Sequence, residues 1–138
     1  MDIKRCTFIL LGLFSCVLAV AASPDLSSPE TTLNSYIESL RSGNRDGVLA
    51  TYHGIKDFDL SKPLQIDKYK ITKKIIYDSK KIRKLNLTGI TPPAEIGDVE
   101  LDVREVVDGK NVMFSYNFRK FKNGWMIIDH TAWDPYAD

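Results

Sequence analysis

Cysteine is nearly missing from this chain: there are two, Cys6 and Cys16, and both fall within the first 22 residues. Beyond Ala22 no thiol remains, which excludes a disulfide framework, thiol catalysis and a thiolate metal site from residues 23–138. Histidine is almost as scarce, with only His53 and His130. Two histidines without clustered carboxylates do not make a metal site by spacing, so neither a metal nor a cofactor is assigned. An excess of either charge is lacking too. Totals of 19 Lys and Arg and 18 Asp and Glu become equal once Lys4, Arg5 and Asp2 are set aside. That balance argues against a dedicated nucleic-acid binder.

The one long apolar run is at the start. Lys4 and Arg5 precede the run Cys6 to Ala22, which ends in small residues, so residues 1–22 read as a secretory signal cleaved after Ala21 or Ala22. The run is shorter than the ~20 residues needed to span a bilayer, and no stable membrane span is expected after its removal. Lipoprotein processing at Cys16, within Leu13-Phe14-Ser15-Cys16, is the alternative; Phe14 fits such a box poorly. The expectation is an exported protein, periplasmic or secreted, with residues 23–138 forming one domain around one core.

Ser27-Ser28-Pro29-Glu30 predicts a helix start, with a serine cap, a proline in the first turn and an early acid. Leu33, Tyr36, Ile37 and Leu40 then recur on one helical stripe. Gly43 predicts the stop, Asn44 the cap of a second helix, and Val48, Leu49 and Tyr52 its buried side before Gly54. Residues 55–67, spaced around Pro63, fit an irregular connection. Tyr69, Ile71, Ile75 and Tyr77 alternate with Lys73 between them and predict a strand, and Ile82 to Leu87 fits either an antiparallel return or a helical turn before Thr91-Pro92-Pro93.

Residues 97–133 pair into a three-stranded meander. Asp108-Gly109 and Asn123-Gly124 are the dipeptides that suit two-residue type I′ loops, and counting outward from each fixes the register. Across the first, Val99 meets Phe118, Leu101 meets Tyr116 and Val103 meets Phe114. Across the second, Phe118 meets Asp129 and Tyr116 meets Thr131. One face then collects Val99, Leu101, Val103, Phe114, Tyr116, Phe118, Trp125, Ile127 and Trp133. The other collects Asp98 opposite Arg119, Glu100 opposite Asn117, and Asp102 opposite Ser115, with His130 beside Asn117. Asp129 is the single charged residue assigned to the apolar face from the last strand, since a one-residue slip would turn the aromatic set out to water.

The opening SPETTLNSYIESLRSGNRDGVLATYH and the closing FRKFKNGWMIIDH resemble the NTF2-like (SnoaL-like) superfamily, with its two-helix start ending in Tyr-His and its Gly-Trp step into the final strand. The resemblance implies an α+β cone, a curved antiparallel sheet packed against N-terminal helices. It also implies a cavity in which isomerase and dehydratase members carry carboxylates, tyrosines or histidines. Because one fold hosts many functions, the function is argued from the site.

In such a cone Asp129 would face Phe118, Ile127 and Tyr116, and desolvation would push its carboxyl upward, toward the range of a general acid or base. The alternative is a carboxylate that only satisfies Tyr116, Tyr52 or a lysine. Phe118, Trp125, Ile127, Tyr52 and Trp133 are the expected ligand-binding wall. Three readings follow. The first is non-catalytic binding of a small apolar ligand or a protein partner in the cone. The second is an isomerase- or dehydratase-type enzyme using Asp129 with Tyr116. The third is a module that forms a homodimer through an outer face where Met113, Met126, Ile128 and Ala132 interrupt polar residues. The lysine-rich run from Lys68 to Lys84, balanced by Asp98, Glu100, Asp102, Glu105 and Asp108, reads as a solvated face. Asn86-Leu87-Thr88 is a glycosylation sequon.

Overall fold

The computed structural model describes residues 22–80, 82 and 93–133. Residues 1–21 of the expected 1–22 signal, the sequon and nearly all of the predicted 82–87 return lie outside them. The described residues form two helices, α1 (Pro29–Ser42) and α2 (Arg45–Thr51), then four strands, β1 (Ile66–Ile76), β2 (Val99–Val107), β3 (Lys110–Phe121) and β4 (Gly124–Trp133). The architecture is α+β, with the strands in one open antiparallel sheet in sequence order.

Local chemistry places both helices as expected. Ser28 caps α1, its hydroxyl accepting from the Thr31 N–H while Thr31 answers the Ser28 N–H, a capping box closed by threonine. Gly43 takes the left-handed conformation, φ 70°, that ends the helix. Asn44 Oδ1 then accepts from the Gly47 N–H at 3.0 Å and starts α2. The apolar stripe Leu33, Tyr36, Ile37 and Leu40, with Val48 and Tyr52, packs on Val99, Leu101, Val103, Tyr116, Phe118 and Ile127 of the sheet. Each such aliphatic side chain stabilises the fold by ~1.5–3 kcal/mol through burial. Residues 55–65 contain no helix or strand; Ile55, Phe58 and Leu60 lie against the core edge.

The first hairpin follows the predicted register throughout: Val99↔Phe118, Leu101↔Tyr116, Val103↔Phe114, with Glu100↔Asn117 and Asp102↔Ser115 behind. Asp108 (φ 49°) and Gly109 (φ 74°) both have the positive φ that a type I′ turn needs.

The second hairpin departs from it. Phe121 pairs with Gly124, so the loop is Lys122-Asn123, one residue earlier than expected. Gly124 is required there for another reason: at φ 123° a Cβ would stand 2.5 Å from the Leu26 carbonyl oxygen, because the irregular segment before α1 is held there by the Leu26 carbonyl accepting from the Trp125 N–H at 2.8 Å. The earlier loop keeps Trp125 and Ile127 on the expected face. A bulge then intervenes: Phe118 pairs with Ile127 but Asn117 pairs with Asp129, leaving Ile128 over. Side-chain alternation reverses at that point. Tyr116 meets His130, Phe114 meets Ala132, and Met113 meets Trp133. Two further register shifts, Ile66/Lys68 and Ile71/Lys73, bend β1, so its alternation also breaks where the sequence suggested continuity. Together the bulges curve the sheet around the helices.

Candidate functional site

The bulge at Ile128 corrects the central expectation. Asp129 is opposite Asn117, on the face of Glu100 and Asp102, and His130 takes the inward position. The physical reason is that a carboxylate set between Phe118 and Tyr116 would lose its hydration without a cationic partner, whereas a neutral imidazole is accommodated by aromatic rings. Trp133 is likewise not inside. It is 41% exposed on the outer face, its indole N–H donating to Ser115 Oγ at 3.1 Å.

His130 stands inside a group of four rings. It stacks on Tyr116, centroids 5.5 Å apart and planes 20° apart, meets Tyr52 edge-on at 5.7 Å, and lies 6.4 Å from Tyr36 and 6.3 Å from Phe114. The residue that caps the C-terminus of α2 fixes the ring, since Tyr52 Oη lies 2.9 Å from His130 Nδ1. Burial pushes the imidazole below its ordinary value, partly countered by the Asp129 charge, and burial with that same charge pushes the Tyr52 phenol up to about 12. A neutral imidazole and a protonated phenol share this hydrogen bond in either of two ways, Tyr52 donating to a bare Nδ1 or an Nδ1–H donating to the phenol oxygen, according to the tautomer.

A buried carboxylate does occupy the apolar face, but it is Glu105. It is 2% exposed and accepts the Tyr116 hydroxyl at 2.7 Å. Burial raises its carboxyl above the ordinary range, against the pull of the Tyr116 hydrogen bond and the Arg41 charge. Burial and the Glu105 charge in turn hold the Tyr116 phenol far above its usual range. The signal for Glu105 was present in the sequence: it shares the parity of Val99, Leu101 and Val103 on β2, and its assignment to the balancing acids overlooked that parity.

Three atoms of this cluster have hydrogen-bonding capacity that no described residue uses: Glu105 Oε2, Tyr36 Oη and His130 Nε2. Tyr36 is 3% and Glu105 2% exposed. Farther along the same face Phe114, Val112 and Val107 are half-buried and Ala132 is exposed, and no described helix or strand lies over them.

Of the expected wall, Tyr52 and Tyr116 belong to this cluster. Phe118 and Ile127 are completely buried beneath the helices and present no surface to a ligand. Trp125 is held near the start of α1, its carbonyl accepting from Thr32 Oγ1 at 3.0 Å. On the outer face Met113 is buried and Ala132 has turned inward, which removes two of the four apolar residues expected there for dimerisation. His53 is exposed and stacks on Phe121 at 4.1 Å. No group of three or more metal-ligating side chains occurs among the described residues.

A separate concavity of about 640 Å³ opens between residues 22–24 and the outer side of α1. Among the described residues it has no aromatic lining, and the one carboxylate there, Glu38, is paired with Arg41 at 2.6 Å. Comparison of the chain with family models, curated proteins and solved structures finds no match.

Proposed function

We propose that this chain is an exported NTF2-like protein that binds a small, largely apolar ligand in the concave face of its sheet without transforming it. The observation that carries the reading is a set of three polar side chains, Tyr36, Glu105 and His130, each with hydrogen-bonding capacity that no described residue uses, grouped among aromatic rings next to the half-buried end of the concave face. Pockets with apolar walls and a few convergent polar groups are the usual form of small-ligand sites. The fold assignment is supported by two N-terminal helices lying on a bulged antiparallel sheet, and export by the charged-then-apolar start of the sequence. Among the described residues no helix is long and apolar enough to cross a membrane.

The binding reading is favoured over the enzymatic one because Asp129 and Tyr116, the pair that reading relied on, sit at positions of opposite face. Titration with indole, followed by NMR at Tyr36, Tyr116 and His130, tests it. Saturable shifts confined to these residues are expected; their absence would refute ligand binding here. N-terminal sequencing of the exported protein should begin at Ala22 or Ser23, and a start at Cys16 would refute the cleavage proposed.

A further inference from the structure

We infer that the outer face of the sheet, at the end nearest the Asp108-Gly109 turn, rests on an anionic phospholipid surface through Lys68, Lys70, Arg104 and Trp133. This face is the opposite one from the proposed ligand site, and the inference does not depend on that site.

The lysines of β1 lack the balance that the sequence suggested. Of the five acids expected to offset them, Asp98 is held by Arg119, Glu100 accepts from Tyr77, Asp102 accepts from Ser115 although it is opposite Lys73, and Glu105 faces the core. Asp108 sits in the turn. Among the described residues the one ion pair made by β1 is Lys74 with Glu30, on the face that the helices cover. Lys68, Lys70, Lys73 and Arg104 are all exposed, and none forms an ion pair with a described residue; Asp67, the one acid of β1, is exposed and pairs with none of them. Lys70 stands directly opposite Arg104. Like charges opposed across a ladder destabilise a sheet, and a negatively charged surface against this face relieves that repulsion.

The registers add an aromatic residue to the same patch. Lys70, Arg104, Met113 and Trp133 form one row across all four strands, with Lys68 and Val106 in the next. At the usual strand spacing the row is about 14 Å long. Trp133, at its edge, is 41% exposed. Tryptophan settles at the headgroup level of a bilayer, and anionic headgroups attract lysine and arginine held beside it. A single-stranded nucleic acid stacks successive bases on several rings along a basic groove, whereas this row offers one indole. Phospholipid is therefore the better match.

The exported protein, recovered as for the sequencing above, is cosedimented with vesicles of phosphatidylcholine alone and of phosphatidylcholine mixed equally with phosphatidylglycerol. Binding to the mixed vesicles is expected to be about tenfold tighter or better. It should collapse between about 0.1 M and about 1 M salt, as the Debye length falls from ~10 Å to ~3 Å. Lys70→Glu and Arg104→Gln should each lower it about fivefold or more. Lys70→Glu sets opposite charges across the ladder and should be at least as stable in urea as the natural protein, so that its loss of binding is not a loss of fold. Lys62→Gln, which removes an exposed charge from the 55–65 segment, should bind as the natural protein does. In Trp125→Phe, where Trp133 is the one tryptophan left, emission should shift to the blue on the mixed vesicles.

Equal binding to both kinds of vesicle, patch variants that bind normally, a Lys62→Gln variant that loses as much as they do, or an unmoved Trp133 emission would each overturn the inference. Retention by heparin or single-stranded DNA without vesicle binding would overturn it too, and assign the patch to a polyanion. None of these outcomes touches the indole titration, so the ligand-binding reading stands or falls separately.

Discussion

Tyr52 and His130, 78 positions apart in sequence, are joined by a hydrogen bond of 2.9 Å that ties the end of the second helix to the last strand. It orients the imidazole across the Tyr116 ring. The contact exists because Ile128 is bulged out of the ladder and His130 therefore faces inward.

The imidazole of His130 should titrate below 6.5, and its nitrogen shifts report which tautomer the Tyr52 hydrogen bond holds. Asp129 raises this value, so Asp129→Asn should lower it further. The native pKa lies below that of the unfolded chain, so this group's contribution to stability is present above pH 6.5 and is lost as pH falls through the native value. A pH series of NMR spectra, paired with urea unfolding, measures both.

Tyr52→Phe removes the hydroxyl and leaves His130 Nδ1 without its hydrogen-bond partner. A loss of about 1 kcal/mol in urea unfolding is expected. The imidazole shifts should then move toward a mixture of tautomers.

Glu105 gives the opposite pH dependence. Its native carboxyl is raised above the ordinary 4.5, so the associated stability is fully present below pH 4.5 and lost as pH rises through the native value. Glu105→Gln, which can still accept from Tyr116, should flatten this fall. The variant's stability relative to the natural protein should be higher at pH 8 than at pH 4 by thermal or urea unfolding.

The outer face holds an ion pair whose two members differ in setting from the other pairs. Arg119 grips Asp98 with Nε at 2.9 Å and Nη2 at 2.7 Å, and Asp98 is 2% exposed. Arg119→Ala strands that carboxylate and should cost ~3 kcal/mol. Lys74→Ala breaks the exposed pair with Glu30 and should cost at most ~1 kcal/mol. Chemical denaturation of the two variants side by side checks the contrast.

Gly124→Ala sets a methyl against the Leu26 carbonyl at a positive φ. A loss of more than about 1 kcal/mol is expected. Hydrogen exchange of the Trp125 amide should accelerate as the segment before α1 detaches.

Sequence alone determined the parts of this protein that depend on near neighbours. The cap at Ser28, the stop at Gly43 and the Asp108-Gly109 turn are local choices of backbone conformation, and one good turn fixes every pair of the hairpin it closes. That is why the Val99-to-Val107 register, and with it the buried row Leu101, Val103, Tyr116 and Phe118, was legible by counting. What only the tertiary structure decided is which of Asp129 and His130 faces the core. Met126, Ile127 and Ile128 are all apolar, so the pattern carries no mark of where alternation breaks. The choice follows from what lies across the fold: the rings of Tyr36 and Tyr52 accept a neutral imidazole, and a carboxylate there would lose its hydration with no described cation to balance it.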